Sequence, residues 1–226
     1  MVWKLGHRGA MGYEPENTLR SFKKALKMKV DFIELDVHVC KSGEVVIIHD
    51  NKVDRTTNGR GRVAFKTLSE LRSLDAGKKE KIPTLREALD LINKKTKVNI
   101  ELKGEGTAYP VYKIIREYIK RKGWAYDHFL ISSFNRHELN DFYRLNKKIK
   151  RGLLISKWLS LRIHFASHME CYSVHLDKDL ITKKYVHYIH QKGLKVFAWT
   201  TNSQQDLKRL KLLGVDGLIS DFPDRI

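Results

Sequence analysis

Eight short apolar segments alternate with segments of helical spacing along this chain of 226 residues. Each apolar segment has the composition of a buried strand in a parallel sheet. The predicted strands are residues 3–6, 32–37, 98–103, 128–132, 150–155, 172–176, 195–200 and 217–220. Helices are predicted after the capping residue Thr18, from Thr84 to about Lys95, and at 109–122, 136–146, 159–168, 181–192 and 203–213. Eight such units predict an α/β protein with a (β/α)8 TIM barrel.

Residues 38–82 interrupt this alternation and are predicted to form a small insertion after the second barrel strand. They begin as a β-hairpin, because two apolar runs flank a short polar turn that contains a glycine. If the loop has four residues, Cys40 faces Val45 and His49 lies opposite Asp36. The rest of the insertion is basic and is expected to form a cap beside the barrel mouth.

We expect residues 1–226 to form a single domain, because the chain can bury one sizeable core. Without the insertion the chain is shorter than the roughly 200 residues at the low end for such barrels, so the helices must be short and the loops tight. The main alternative, a doubly wound open sheet, needs a glycine-rich phosphate loop after its first strand. Gly6, Gly9 and Gly12 do not have that spacing.

Two of the predicted strands carry charged residues among apolar ones. Glu34 and Asp36 are two positions apart, so their side chains share one face of an extended strand and lie close enough to reach one cation. Glu101 and Lys103 repeat this pattern further along the chain. Three carboxylates without a neighbouring cysteine favour a hard ion such as Mg²⁺ or Ca²⁺ over zinc. The alternative is an ion-pair network within the core.

Two histidines and two cations accompany these carboxylates. His7 and Arg8 follow the first strand, and the hairpin brings His49 back towards the second. Imidazole changes charge near neutral pH, which suits it to general acid or base catalysis. Arg8 and Lys103 would be spare cations for an anionic substrate. His38, His128, His137, His164, His168, His187 and His190 are interpreted as ordinary core or surface residues.

With these segments in place, the sequence resembles the glycerophosphodiester phosphodiesterase family. Its motifs occur in the family's order over nearly the whole chain. They are Gly6–Gly9, Pro15–Thr18, Ile33–Val37, His49–Asp50, Arg55–Thr57 with Gly59 and Gly61, Pro83–Leu85, Ile100–Lys103, Ser133–Phe134, Trp199–Thr200 and Gly214–Gly217.

The resemblance implies an activity and a set of roles. The activity is metal-dependent hydrolysis of glycerophosphodiesters to sn-glycerol 3-phosphate and an alcohol, through either a cyclic phosphate or direct attack by water. The implied roles are metal binding for Glu34, Asp36 and Glu101, acid–base catalysis for His7 and His49, phosphate binding for Arg8 and Lys103, and lining of the substrate pocket for Trp199. Two other functions stay open, namely phospholipase D-type cleavage of lysophospholipids and phosphate or nucleic-acid binding by an inactive site.

The formal net charge of +18 is the feature that motivates the binding alternative. The basic residues are spread over many predicted helices without a recognisable nucleic-acid-binding motif, so no specific nucleic acid is expected. A weak attraction to anionic membrane surfaces is expected instead. The sequence contains only two cysteines, no transmembrane-length apolar run and no signal-peptide pattern at its start, from which we expect a cytoplasmic enzyme.

Overall fold

The computed structural model describes residues 2–157 and 159–226. Eight of its nine strands are parallel and close into a barrel, because the first strand pairs with both the second and the last. The barrel strands are β1 (Trp3–Gly6), β2 (Phe32–Val39), β4 (Lys97–Leu102), β5 (Phe129–Ser133), β6 (Lys150–Ile155), β7 (Ser173–Asp177), β8 (Lys195–Trp199) and β9 (Gly217–Ser220), and β3 (Val45–Ile47) is an added antiparallel strand. The predicted (β/α)8 fold with an insertion after the second barrel strand is confirmed.

Seven helices lie between consecutive barrel strands and cover the outside of the barrel. They are α1 (Leu19–Lys27), α3 (Leu85–Ile92), α4 (Ala108–Arg121), α5 (Arg136–Leu145), α6 (Leu159–His168), α7 (Lys183–Gln191) and α8 (Gln204–Leu213), while the short α2 (Leu68–Ser73) belongs to the insertion. The predicted bounds are close to these except at the end of α3. That helix stops at Ile92 because Asn93 has a φ of +43°, a left-handed conformation that ends helices.

The hairpin register predicted from the sequence was wrong by one residue. Val39 pairs with Val45, and the amide of Ile48 donates to the Asp36 carbonyl at 3.0 Å, so Ile48 lies opposite Asp36. The turn has three residues instead of four because Gly43, with a φ of +95°, closes it early. His49 therefore lies beyond the end of β3 rather than within a paired strand.

Three groups of apolar side chains hold the molecule together. The largest fills the space between the barrel and its helices, and a second, which includes Leu5, Phe32, Leu130 and Phe197, fills the lower part of the barrel interior. The third is a small core within the insertion. Its members are Cys40, Val46, Ile48, Val53, Val63, Leu71, Ala76 and Ile82. The upper part of the barrel interior is thus left for polar residues.

No helix in the described part of the chain combines the length and apolar character needed to cross a membrane.

Helix α3 begins with a capping box that joins it to the insertion. Thr84 accepts a hydrogen bond from the Glu87 amide, and the Glu87 carboxylate accepts from the Thr84 amide at 2.8 Å and also contacts Arg72 of α2. Replacing Thr84 with alanine should lower the free energy of unfolding by about 1 kcal/mol, the usual cost of losing such a cap. Urea unfolding measures this change. Thr84→Ser, which keeps the hydroxyl, should be close to wild type, and equal losses in the two variants would contradict the capping role.

Candidate active site

The turn after β1, Gly6–Gly9, packs closely against β2. Gly9 has a φ of +87°, and a side chain there would overlap Ser21 of α1. A side chain at Gly6 would lie 2.3 Å from the Gly9 carbonyl oxygen. Only glycine fits at both positions, which allows the turn to be tight. In this tight turn the Arg8 amide donates to the Glu34 carboxylate at 2.7 Å. The two residues between the glycines, His7 and Arg8, are thereby fixed at the barrel mouth.

Three carboxylates meet at this mouth, as the sequence predicted. Glu34 and Asp36 project from β2, and Glu101 projects from β4, where it pairs with Asp36 in register. Ligand oxygens from the three side chains lie within 4.8 Å of one another, and all three residues are buried. Burial, together with the neighbouring carboxylates, raises the pKa of Glu34 well above its usual value and that of Glu101 to about 7.

The two cations predicted for phosphate lie beside these carboxylates. Lys103 Nζ is 2.7 Å from Glu101 Oε1 and 3.6 Å from Asp36 Oδ1, and Arg8 Nε is 3.5 Å from Asp36 Oδ2. Burial opposes ionisation of Asp36, but the two cations and a 2.9 Å hydrogen bond from Asn17 outweigh it and hold the pKa of this carboxyl below its usual value. Asp36 is therefore ionised while its two neighbours retain protons readily.

Both predicted histidines lie at the same mouth, and each is held by an aspartate. Nδ1 of His7 donates to Asp221 at 2.6 Å, and Nδ1 of His49 donates to Asp50 at 2.6 Å. These bonds fix the orientation of both rings and leave Nε2 of each for proton transfer. Burial lowers the pKa of His49, so that ring is neutral near pH 7. Burial opposes ionisation of Asp221, but the hydrogen bonds from His7 and Asn202 and the charge of Arg8 together outweigh this effect and lower the pKa of the carboxyl.

The insertion reaches the site through Arg55. Its guanidinium donates to Asp50 at 2.7 Å and to Glu16 at 2.7 Å, and Glu16 in turn accepts from Arg8 at 2.7 Å. These bonds lower the pKa of Asp50, with the Arg55 hydrogen bond as the largest cause. The insertion therefore supports His49 through Asp50 and Arg8 through Glu16.

A cavity of about 110 Å³ joins these groups. His7, Arg8, Glu34, His49, Glu101, Lys103 and Trp199 all line it. The Trp199 ring packs edge to face against Phe134, with 5.6 Å between ring centroids, and forms one apolar wall. Of the residues predicted for the site, Asp36 alone is absent from this lining, because it is buried behind Arg8 and Lys103.

The sequence interpretation missed four supporting residues. Asp50 directly follows His49 and Asn17 directly precedes the capping residue Thr18, so both lay within motifs already noted. Their positions beside these residues were the available signal. Asp221 follows the last strand, which a closed barrel must place beside the first, so closure itself predicts a partner for His7. His175 on β7 lies at the cavity but was not singled out, because a histidine in an apolar strand gives no local signal.

The donor set at the mouth fits a divalent cation. Three buried carboxylates exceed the two cations beside them, and two of the three have raised pKa values, so the cluster needs a further proton or a positive ion. The ligands are all carboxylate oxygens, the type that hard ions prefer. The site is therefore suited to hold a metal ion.

Hydrolysis of a phosphate ester uses groups that move protons, a cation and positive charge near the phosphate. The cavity combines two imidazoles, a carboxylate cluster suited to a cation and two basic side chains. All of them lie at the C-terminal ends of the barrel strands, where the active sites of TIM-barrel enzymes form. The fold and the site thus define a (β/α)8 hydrolase that acts on phosphate esters.

Comparison with known proteins identifies the family. The sequence pattern of the glycerophosphoryl diester phosphodiesterase family matches residues 7–225, so the chain belongs to this family. It is 40% identical to a glycerophosphodiester phosphodiesterase of Caldanaerobacter subterraneus subsp. tengcongensis, over 98% of this chain and 95% of the relative. An enzyme of the same name from Bacillus subtilis is 32% identical over 99% and 84% of the two chains.

Solved structures agree with the sequence relatives. An Oleispira antarctica phosphodiesterase, solved in complex with the product sn-glycerol-3-phosphate, superposes with a TM-score of 0.91 and 34% identity, covering 98% of this chain and 94% of that one. A glycerophosphodiester phosphodiesterase from Thermotoga maritima gives a TM-score of 0.83 and 28% identity over 99% and 96% of the two chains. The expected family and enzyme class are confirmed.

The aspartates that hold the two histidines should matter for turnover. Asp221→Asn or Asp50→Asn removes the charge that fixes the ring tautomer and stabilises the protonated ring, so each should lower kcat by at least about tenfold. Steady-state kinetics with a glycerophosphodiester measures this effect. Asp216→Asn is a matched control, because Asp216 bonds to His190 at 2.8 Å outside the cavity. Full activity in Asp221→Asn would show that the His7 contact is only structural.

Proposed function

We propose that this chain hydrolyses glycerophosphodiesters to sn-glycerol 3-phosphate and an alcohol with the residues described above. The observation that carries this proposal is the meeting of Glu34, Asp36 and Glu101 with His7 and His49 at one cavity. The small cavity further supports a glycerol-sized group as the part of the substrate that is enclosed. The proposal is tested by release of glycerol 3-phosphate from glycerophosphoethanolamine.

Glu34, Asp36 and Glu101 are the proposed ligands of one divalent ion, Mg²⁺ or Ca²⁺. When bound, such an ion supplies positive charge that polarises a phosphate oxygen and lowers the pKa of a neighbouring hydroxyl group. The carboxylates of Glu34 and Glu101 must lose their protons to accept it, because a protonated carboxyl is a poor ligand.

His7 and His49 are the proposed acid–base pair. We assign His49 as the base, because burial lowers its pKa and the resulting neutral ring has a free lone pair that can accept the proton of the attacking hydroxyl or water. His7 then donates a proton to the oxygen of the leaving alcohol as the bond from phosphorus to that oxygen breaks. Asp221 accepts a hydrogen bond from Nδ1 of His7 and so orients Nε2 for this transfer.

Arg8 and Lys103 are the proposed phosphate-binding residues. Both line the cavity, and both are positioned by the carboxylates that they neutralise. Their charges would offset the negative charge that grows on the phosphoryl oxygens during the reaction. Trp199, with Phe134, would pack against the carbon atoms of the substrate on the apolar wall.

The remaining expectations concern the protein as a whole. We infer a single-domain cytoplasmic enzyme without a specific nucleic-acid partner. A groove of about 520 Å³ between α4, the start of α3 and the hairpin turn has more basic than acidic side chains in its lining, which supports a weak attraction to anionic membrane surfaces. The basic residues are Arg86, Lys113, Arg116, Lys120 and Arg121, and the acidic ones are Glu44 and Glu117. The groove lies apart from the catalytic residues, so this attraction would affect location rather than chemistry.

Removing divalent ions should abolish turnover, and metal affinity should depend on pH. Because Glu101 has a pKa of about 7, protons compete with the ion below that value, and the affinity should fall about tenfold from pH 8 to pH 6. Turnover with and without EDTA, and calorimetric titration with Mg²⁺ and Ca²⁺, measure the two effects. Glu101→Gln should weaken binding, whereas Glu105→Gln, at an exposed position nearby, should not. Full turnover in EDTA would contradict the metal assignment.

The two histidines should be individually required. His7→Ala and His49→Ala should each lower kcat by at least about a hundredfold, the scale of losing a positioned acid or base. The double variant should be little worse than either single variant, because both residues serve one proton-transfer scheme. His187→Ala, at an exposed helix position, serves as the control. Near-wild-type kcat in either single variant would limit that residue to a structural role.

A further inference from the structure

The floor of the catalytic cavity contains a histidine that the proposed chemistry does not use. His175 projects inward from β7 and is fully buried. Its ring stacks on Phe197 with 4.8 Å between centroids, and its Nε2 lies 3.0 Å from the Ser173 hydroxyl. Gly152 makes room for it, since a side chain there would lie 2.4 Å from Nε2. The ring is therefore held in one orientation by its surroundings.

The other ring nitrogen is unsatisfied. Nδ1 of His175 has no hydrogen-bond partner among residues 2–157 and 159–226. The same holds for Oδ1 of Asn99, which lies on β4 beside Glu34 and lines the same cavity. Arg8 Nε and Glu101 Oε1 at the same cavity also lack hydrogen bonds but lie in ion pairs, with Asp36 and Lys103 respectively. Buried polar atoms in folded proteins are nearly always paired, so the two atoms without any partner, His175 Nδ1 and Asn99 Oδ1, indicate that a polar ligand completes them.

The chemistry of the floor selects a neutral ligand. Burial lowers the pKa of His175 to about 3, so the ring carries no charge at neutral pH and offers one N–H and one lone pair. The cations that line the cavity, Arg8 and Lys103, contact the carboxylates at the mouth. An anionic phosphate is therefore favoured at the mouth, whereas a hydroxyl group, which both donates and accepts, suits the floor.

The size of the cavity decides which part of the substrate enters. Its volume of about 110 Å³ is well below the roughly 300–1,000 Å³ of pockets that enclose drug-sized ligands. Leu154 and Ile219 add apolar surface to its lining. A glycerol group, with carbon atoms to pack and hydroxyl groups to pair, matches this combination, and the alcohol half of the diester must then extend outward.

We propose that Nδ1 of His175 and Oδ1 of Asn99 bind the terminal hydroxyl group of the glycerol half, the one farthest from phosphorus. This inference rests on the proposed function and adds a specificity determinant to it. Acylation of that hydroxyl removes its hydrogen and adds a chain that the small cavity cannot hold. On this assignment the site selects glycerophosphodiesters over lysophospholipids.

The test compares two substrates that differ in one oxygen atom. Wild-type kcat/KM is measured for glycerophosphocholine and for the analogue in which hydrogen replaces the terminal glycerol hydroxyl. We expect a preference of about 10- to 100-fold for glycerophosphocholine, because the analogue leaves the buried polar atoms unpaired. Lysophosphatidylcholine should be cleaved with less than about a hundredth of the kcat/KM of glycerophosphocholine.

Variants at position 175 test whether His175 causes the preference for glycerophosphocholine over the analogue. His175→Phe keeps a stacked ring without polar atoms, so the preference should fall to near one, mostly through loss of activity on glycerophosphocholine. His175→Gln keeps a polar group and should retain part of the preference. Leu154→Val is the matched control, since it alters the same cavity without a polar atom and should change both rates by a similar factor.

Three results would overturn the assignment. A wild-type preference near one would do so without any variant, and this measurement decides the matter even if His175→Phe fails to fold. If His175→Phe keeps the wild-type preference for glycerophosphocholine over the analogue, a water molecule or another residue binds the terminal hydroxyl. Absence of glycerol 3-phosphate release by the wild-type enzyme would instead contradict the proposed function, and the floor site with it.

Discussion

The repulsion among three buried carboxylates is the constraint on which the rest of the site depends. Glu34, Asp36 and Glu101 can lie within 4.8 Å of one another only where positive charge or protons offset them. The Arg8 amide, the Lys103 ammonium and the Asn17 side chain supply part of this compensation. The tight glycine turn after β1 brings the Arg8 amide to Glu34. The pairing of β2 with β4 brings Lys103 to the carboxylates.

The two histidines at the cavity are held by residues from outside the barrel strands as well as from their ends. Asp221 reaches His7 from the end of β9, whereas Asp50 holds His49 and is itself held by Arg55 of the insertion. Glu16 joins Arg55 to Arg8, so the insertion and the first turn form one connected set of ion pairs. The insertion therefore contributes to the geometry of the site, which extends its expected role as a cap beside the mouth.

Much of the fold followed from local patterns. All eight barrel strands were predicted within about two residues, because each is an apolar run between turn residues. The hairpin register was wrong by one residue, because the conformation of Gly43, rather than the apolar pattern, sets the length of the turn. The end of α3 was placed too late for a related reason, since the left-handed conformation of Asn93 stops the helix within a run of helix-forming residues.

The sequence by itself determined the fold and the chemical type of the site, because strand periodicity places Glu34 and Asp36 on one face and the motifs around them are specific. Only the tertiary structure decided which groups meet across the barrel. Barrel closure brings Asp221 to His7, and the inward face of β7 brings His175 to the cavity floor, although both residues lie far along the chain from the motifs they join. The physical reason is that burial and pairing of polar atoms depend on distance in space, which strand order and register set and local sequence does not.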